Sequence, residues 1–288
     1  MRTKIWLVLL LGVLMQGCAT NLEGVRRFAK DSDTVITASN AQFTYLPTSC
    51  NNRLVLVALI QGPDSDVVKD TKAACDDIAV AAKAAIGMTK VVSEYAKALE
   101  ALAQDKFATY SSELDGLAGS VKGLKDSKQV PIVPASSVDA LNKLTNLIFE
   151  AATKGLRQRE LKAMMAQHDA LATVLEQVAS MMESEYVAAL QTEDSEYRQK
   201  IVVLKRAFAE REPLRVRELE RDLTAARSGV TDKIDAAKKT AAALRGLIAA
   251  HAALRDNIEK PQVVDQLRAI NDFRKQTNDV REALTKAF

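Results

Sequence analysis

The spacing of apolar residues is the feature that most constrains the fold of this 288-residue chain. Over long stretches these residues recur every three or four positions, which places them along one stripe of an α-helix. Between residues 161 and 182 the steps alternate strictly between three and four, the heptad pattern of helices that pack side by side. We therefore predict an all-α protein. The members of this heptad seam are Leu161, Met164, His168, Leu171, Leu175, Val178 and Met182.

Proline residues and polar stretches divide the apolar pattern into segments. Proline lacks the amide hydrogen and restricts the residue before it, so it marks a turn, a helix start or a kink. Pro213 interrupts a long helical pattern, and we predict a kink or short break there. The prolines at which we place turns or helix starts are Pro47, Pro63, Pro131, Pro134 and Pro261.

The long segments between these breaks predict the architecture. Three segments of about sixty residues would each extend about 90 Å as helices. Their short connections require antiparallel neighbours, so we predict an elongated antiparallel helical bundle or coiled coil of long helices. The segments are a short helix over 21–43, a buried apolar element over 54–60, a helix from Asp64 or Ser65 to 124, a loop over 125–135, a helix from Ser136 or Ser137 to a polar turn over 191–196, a segment over 197–251 and a final helix after Pro261.

The composition agrees with long helices and limits the partners. Ala, Leu, Lys, Glu and Arg are abundant, aromatic residues make up only 5% of the chain, and the single tryptophan is Trp6. The charge is nearly balanced, with 40 basic and 37 acidic residues. A nucleic-acid partner would require a basic stripe that neutralises phosphates, so we predict no nucleic-acid partner.

The first residues have the layout of an export signal. Two basic residues, Arg2 and Lys4, precede an apolar run from Ile5 to Met15, and the small residue Gly17 lies at the expected cleavage point. The apolar run is too short to span a membrane as a helix. We therefore predict a cleaved signal peptide over residues 1–17.

A cysteine follows the glycine directly. The segment Leu14-Met15-Gln16-Gly17-Cys18 resembles the lipobox of bacterial lipoproteins. The resemblance implies that the peptide is cut before Cys18, that the Cys18 thiol is diacylated and that the new amino group is acylated. Two or three acyl chains would anchor the protein in a lipid bilayer, whereas a single chain binds only marginally. The alternatives are an ordinary secretory signal with an incidental cysteine and an uncleaved anchor.

The resemblance also implies a location. By similarity to enterobacterial lipoproteins, Ala19 after the cysteine favours transfer to the outer membrane of a Gram-negative bacterium, with the protein on the periplasmic side. Loss of Arg2 and Lys4 with the signal would lower the net charge from +3 to +1. We predict an anchor and short N-terminal helical region over 18–63, and a long-helix bundle over 64–288.

Two further cysteines, Cys50 and Cys75, form an even pair in an oxidising compartment. A disulfide between them would close a 25-residue separation and stabilise the fold by about 3.5 kcal/mol in the loop-entropy model. We predict this disulfide, with two buried thiols as the alternative. A catalytic redox pair is not indicated, because Cys-x-x-Cys is absent from the sequence.

No catalytic constellation emerges from the sequence. The only histidines, His168 and His251, fall on apolar seams that antiparallel helices could bring together, and we interpret them as structural residues that fix the register. Ser120 lies between glycines but lacks the preceding strand of a nucleophile elbow. Carboxylates around residues 210–221 alternate with arginines, as on a solvated helix surface. We predict no metal, no cofactor and no enzymatic activity.

Three functions therefore compete at the level of sequence. The first is a membrane-anchored periplasmic lipoprotein with a structural, scaffolding or adaptor role, which binds an envelope protein. The second is a membrane-active bundle, similar in outline to helical pore-forming toxins, in which the apolar run Leu54–Ile60 enters lipid. The third is an enzyme with a site between helices, which motif reading does not detect.

Overall fold

The computed structural model describes residues 2–154, 157–208, 212–258 and 264–288, with the backbone alone described for residues 2–21, 157, 207–208 and 264–266. Within these ranges the chain contains helices and no strand, so the predicted all-α bundle is confirmed. Most of the buried apolar side chains form one continuous core. The helices are α1 (Arg2–Gln61), α2 (Asp66–Ala103), α3 (Leu117–Lys122), α4 (Ala135–Thr153), α5 (Arg157–Ala166), α6 (His168–Met181), α7 (Ala188–Phe208), α8 (Pro213–Asn257) and α9 (Val264–Ala287).

The longest pairing in the bundle is the antiparallel hairpin of α1 and α2. Gly62 turns the chain between the two helices with a φ of +88°, a conformation that glycine adopts without strain. Ser65 then caps α2, because its side chain accepts a hydrogen bond from the Val68 amide at 3.4 Å. The core extends almost to the start of the described side chains, with Leu22 packed against it and Val25 buried.

The helix α1 continues through Pro47, where we predicted a turn, and is much longer than the predicted helix over 21–43. An interior proline removes one hydrogen bond and costs about 3 kcal/mol. Phe43 and Leu46, just before the proline, are fully buried, so tertiary packing offsets that cost. The apolar run over 54–60 is the C-terminal part of the same helix. Buried residues of α1 belong to the same core as residues after position 63, the predicted domain boundary.

The helix predicted over residues 64–124 ends early. Helix α2 stops at Ala103, the next turn contains Asp105 with a positive φ of 58°, and a 3₁₀ turn over Ser112–Leu114 leads into α3. Leu114 is buried although it lies outside an α-helix. Its apolar character therefore continued the three- and four-residue spacing beyond the end of α2. The α3 helix lies so close to α2 that a Cβ on Gly87 would come within 2.8 Å of Val121.

The predicted heptad seam is buried, but its helix is interrupted. Gln167 separates α5 from α6, and a π-helical turn over Met182–Val187 joins α6 to α7. The polar turn predicted over 191–196 is wrong, because α7 runs without a break through these residues. The cap predicted at Ser136 or Ser137 is also wrong, since α4 begins at Ala135 after Pro134.

The last two helices complete the bundle. Helix α8 begins at Pro213, where the missing amide hydrogen costs nothing, so the interruption predicted there coincides with a helix start. Pro261, the predicted start of the final helix, lies outside the described residues. The length of about 90 Å predicted for three segments is reached only by α1, with 60 residues, which was not one of them, whereas α2 with 38 and α8 with 45 residues extend about 57 and 68 Å among the described helices.

Candidate functional site

Cys18, the predicted lipidation site, belongs to α1 and precedes Leu22 by only four residues. Its backbone is helical, and its side chain lies outside the described part of the structure. Acylation of the Cys18 thiol therefore stays a prediction from the lipobox resemblance.

The predicted pair Cys50 and Cys75 forms a disulfide, with Cα atoms 5.5 Å apart. Both side chains are buried, one on α1 and the other on α2. The bond joins the two arms of the hairpin across the Gly62 turn, so it holds the end of the hairpin closed.

The two histidines meet in the core, in a cluster that we call the histidine layer: Phe28, Tyr95, His168, His251 and the Met164 carbonyl. His251 on α8 is fully buried, and its Nε2 lies 2.8 Å from the Tyr95 hydroxyl on α2. Its Nδ1 lies 3.3 Å from Nδ1 of His168 at the start of α6, and the two ring planes are nearly parallel, with centroids 5.4 Å apart. The Phe28 ring of α1 packs at 5.7 Å from the His251 ring.

The proton positions in the histidine layer follow from the partners. The Tyr95 hydroxyl donates to the Met164 carbonyl at 2.7 Å, so its oxygen must accept the proton on Nε2 of His251. A neutral His251 then has an unprotonated Nδ1, which accepts from the Nδ1 proton of His168. Every polar atom in this sequence of hydrogen bonds has a partner when both histidines are neutral.

The surroundings of the histidine layer favour these neutral forms. Burial lowers the pKa of His251 to about 3, and the positive charges of His168 and Arg255 act in the same direction. Burial also lowers the pKa of the half-buried His168, with Arg255 in the same direction and Asp169 and Asp256 opposing. The layer therefore links α1, α2, α5, α6 and α8 without any net charge at neutral pH, in keeping with the predicted structural role.

A second buried polar cluster surrounds a carboxylate that sequence reasoning missed. We call it the carboxylate layer: Ser49, Asn52, Tyr186, Glu193 and Lys233. Glu193 on α7 is only 1% exposed and accepts hydrogen bonds from the Ser49 hydroxyl and, at 3.2 Å, from the Asn52 amide of α1. It was assigned to a polar turn because charged residues are rarely buried, and the sequence contains no signal that distinguishes it.

Burial favours the neutral form of the ionisable group in the carboxylate layer, as it does in the histidine layer. Burial raises the pKa of Glu193, whereas hydrogen bonds from Ser49 and Asn52 and the charge of Lys233 oppose the rise. Burial likewise raises the pKa of Tyr186, with Glu193 adding to the effect. The Tyr186 hydroxyl is buried and has no hydrogen-bond partner among the described residues.

Lys233 lies at the outer edge of this layer between two aromatic rings. Its Nζ is 4.8 Å from the centroid of Tyr45 and 5.3 Å from that of Phe288, and these two rings make an edge-to-face contact at 5.6 Å. The neighbouring Asp194 is also nearly buried and accepts hydrogen bonds from two arginines, Arg198 and Arg227.

The chemistry available to these clusters is limited by access. Ser49 and Glu193 form the kind of hydroxyl–base pair that can activate a nucleophile, but each is only 1% exposed. Ser120 lies in the short helix α3, which follows a turn at Gly116 rather than a strand. In the described ranges, no group of three or more His, Cys, Asp or Glu side chains is placed to hold a metal ion.

The apolar run Leu54–Ile60 is divided between core and surface. Leu56 and Val57 are buried, whereas Val55 is 59% and Leu59 is 63% exposed. Across the described helices, no stretch is both long and apolar enough to cross a membrane.

Comparison with protein-family models, curated proteins and solved structures finds no match to this chain.

Proposed function

We propose that this chain is a bacterial envelope lipoprotein, anchored in the outer membrane through acylated Cys18, with a structural, scaffolding or adaptor role in the periplasm. The observation that carries the proposal is the order of a basic start, a short apolar run and the Leu14-Met15-Gln16-Gly17-Cys18 segment. Anchoring by lipid requires no spanning helix, since each buried methylene contributes about 0.8 kcal/mol.

Two structural features support a role in the periplasm. The Cys50–Cys75 disulfide is of the kind that persists in oxidising compartments. The buried polar residues of the histidine and carboxylate layers bind one another within the core, where a substrate has no access. These features fit a protein that presents surfaces to a partner, and the partner that we propose is another envelope protein.

Metabolic labelling tests the anchor. The protein is produced in a Gram-negative host that is supplied with an alkyne-tagged fatty acid, and label on the purified chain is compared with that on Cys18→Ser and Thr20→Ser variants. We expect label on the wild type and on Thr20→Ser, its loss in Cys18→Ser, and an amino terminus at Cys18 by intact-mass analysis. An unlabelled wild-type chain, or an amino terminus elsewhere, contradicts the proposal.

The exposure of Val55 and Leu59 favours a second candidate, a membrane-active bundle in which the end of α1 enters lipid. A vesicle-leakage assay with Val55→Lys discriminates, because this charge lies on the surface and leaves the core intact. Leakage by the wild type that the lysine abolishes would support this candidate, and leakage that the lysine leaves unchanged would exclude it.

A further inference from the structure

The outward face of α1 has an unusual composition. Between residues 34 and 60, seven residues of α1 are exposed, and they follow one another in steps of 4, 3, 4, 3, 4 and 4. This spacing places them on one stripe along the helix, the stripe that faces away from the core. We call this stripe the outer seam, and its members are Thr37, Ala41, Thr44, Thr48, Asn51, Val55 and Leu59.

The outer seam carries no charge. Arg53 is the only charged residue between positions 34 and 63, and it lies off the seam, half-buried, with its guanidinium 3.9 Å from Glu196. A helix face that meets water normally carries charged residues. The neighbouring helix α9 follows that rule, with exposed residues that include Arg274, Lys275 and Glu282.

The uncharged hydrogen-bonding groups of the outer seam indicate which kind of surface can bind to it. Threonine hydroxyls and the Asn51 amide each both donate and accept hydrogen bonds, so a seam of this kind can satisfy an identical seam. A partner recognised by charge would find no group to bind, and an anionic lipid surface would find no cation. Two copies can also approach along this face without repulsion between like charges.

We propose that two copies of this chain associate through their outer seams, with the α1 helices packed side by side across a two-fold axis. Small residues over Thr37–Thr48 allow the helices to approach closely, and Val55 and Leu59 supply the apolar contact near the Gln61 end. The seam is about 33 Å long and about 10 Å wide. Such a strip is small beside the roughly 800 Å² that each partner buries in a standard interface. We therefore expect a weak dimer, which requires a measurement over a wide range of protein concentrations.

The test measures the mass of the full-length chain in detergent by sedimentation equilibrium, at protein concentrations from about 1 to 100 μM. Thr44→Lys/Thr48→Lys places two like charges on each seam, and Asn278→Lys/Thr285→Lys places the same charges on the exposed face of α9. We expect a monomer–dimer equilibrium for the wild type and the α9 variant, and at least a tenfold increase in Kd for the seam variant. The same result in a Cys18→Ser background separates self-association from the proposed lipid anchor.

Crosslinking keeps the proposal testable if the seam variant fails to fold. Thr44→Cys should form a disulfide between copies under mild oxidation, whereas Thr285→Cys on α9 should not. A wild type that is monomeric throughout, or a dimer that the seam lysines leave unchanged, overturns the proposal. Vesicle binding by a monomeric wild type that the seam lysines abolish would also overturn it, by showing that lipid covers the seam.

Discussion

The two buried polar layers differ in how completely their polar atoms are hydrogen-bonded. Around His251, every polar atom has a partner when the groups are neutral, and burial keeps the imidazole neutral. Around Glu193, burial also favours the neutral form and two hydrogen bonds reach the carboxyl group, but the nearby Tyr186 hydroxyl is unpartnered among the described residues. The comparison teaches that burial of polar groups stabilises a core only as far as their hydrogen bonds are completed.

Acid should expose this difference most strongly, through His251. Because its pKa in the folded state is about 3, below that of the unfolded chain, the unfolded state binds more protons between these values. The stability that depends on neutral His251 is complete about one pH unit above 6.5 and is lost as the pH falls, by about 1.4 kcal/mol per pH unit at most. We expect a loss of about 3 kcal/mol between pH 7.5 and 4.5.

Urea unfolding at several pH values measures this loss. His251→Gln removes the titration and should flatten the dependence on pH, and His168→Gln at the half-exposed position is the matched control. An equally steep loss in His251→Gln and the wild type would show that other groups are responsible.

Tyr95→Phe should produce the next largest effect. The change removes one oxygen atom, leaves the Nε2 proton of His251 without a partner in the core, and leaves the Met164 carbonyl with only its bond from the Gln167 amide. We expect a decrease of about 2 kcal/mol in the free energy of unfolding. A decrease below about 0.5 kcal/mol would mean that this layer is not held by its hydrogen bonds.

Tyr186→Phe is the same chemical change in the other layer and should have the opposite sign. Because this buried hydroxyl has no partner among the described residues, its removal relieves a desolvation cost. We expect stabilisation by about 1 kcal/mol in the same unfolding assay. Clear destabilisation would reveal a partner, such as a buried water molecule.

Glu193→Gln should have the smallest effect, under about 1 kcal/mol, because the amide oxygen can still accept one hydrogen bond and the Ser49 hydroxyl can turn to accept another. Whether the variant is more or less stable than the wild type depends on pH. The pKa of Glu193 is raised, so the wild type loses stability as the pH rises through that value, and the variant does not. The free energy of unfolding of the variant should therefore rise relative to that of the wild type between pH 4 and pH 7. A constant difference between the two over that range would contradict the role assigned to the Glu193 carboxylate.

The residues that sequence reasoning predicted correctly are those whose pattern reflects packing alone. The heptad seam predicted the buried positions of α5 and α6, and the apolar seams of His168 and His251 indicated that antiparallel helices could bring the two side chains together. The pairing of Cys50 with Cys75 followed from their number and from the predicted compartment.

The errors share a physical origin in tertiary structure. Leu114 keeps helical spacing although it packs from a 3₁₀ turn, because a core accepts side chains from any backbone. Glu193 was assigned to the surface because its partners, Ser49 and Asn52, lie more than 140 residues away in the chain. Pro47 was assigned to a turn, since the burial of Phe43 and Leu46 around it cannot be read locally.

The short distance between Cys18 and the core has a mechanical consequence. Val25, a buried apolar residue of the core, is seven positions away, a span of about 10 Å as helix and at most about 25 Å when extended. A chain acylated at Cys18 would thus have only a short connection between its lipid anchor and its core, so this end of the bundle would lie against the lipid headgroups. Whatever binds such a protein would reach it from the side or from the far end, where α1 turns into α2.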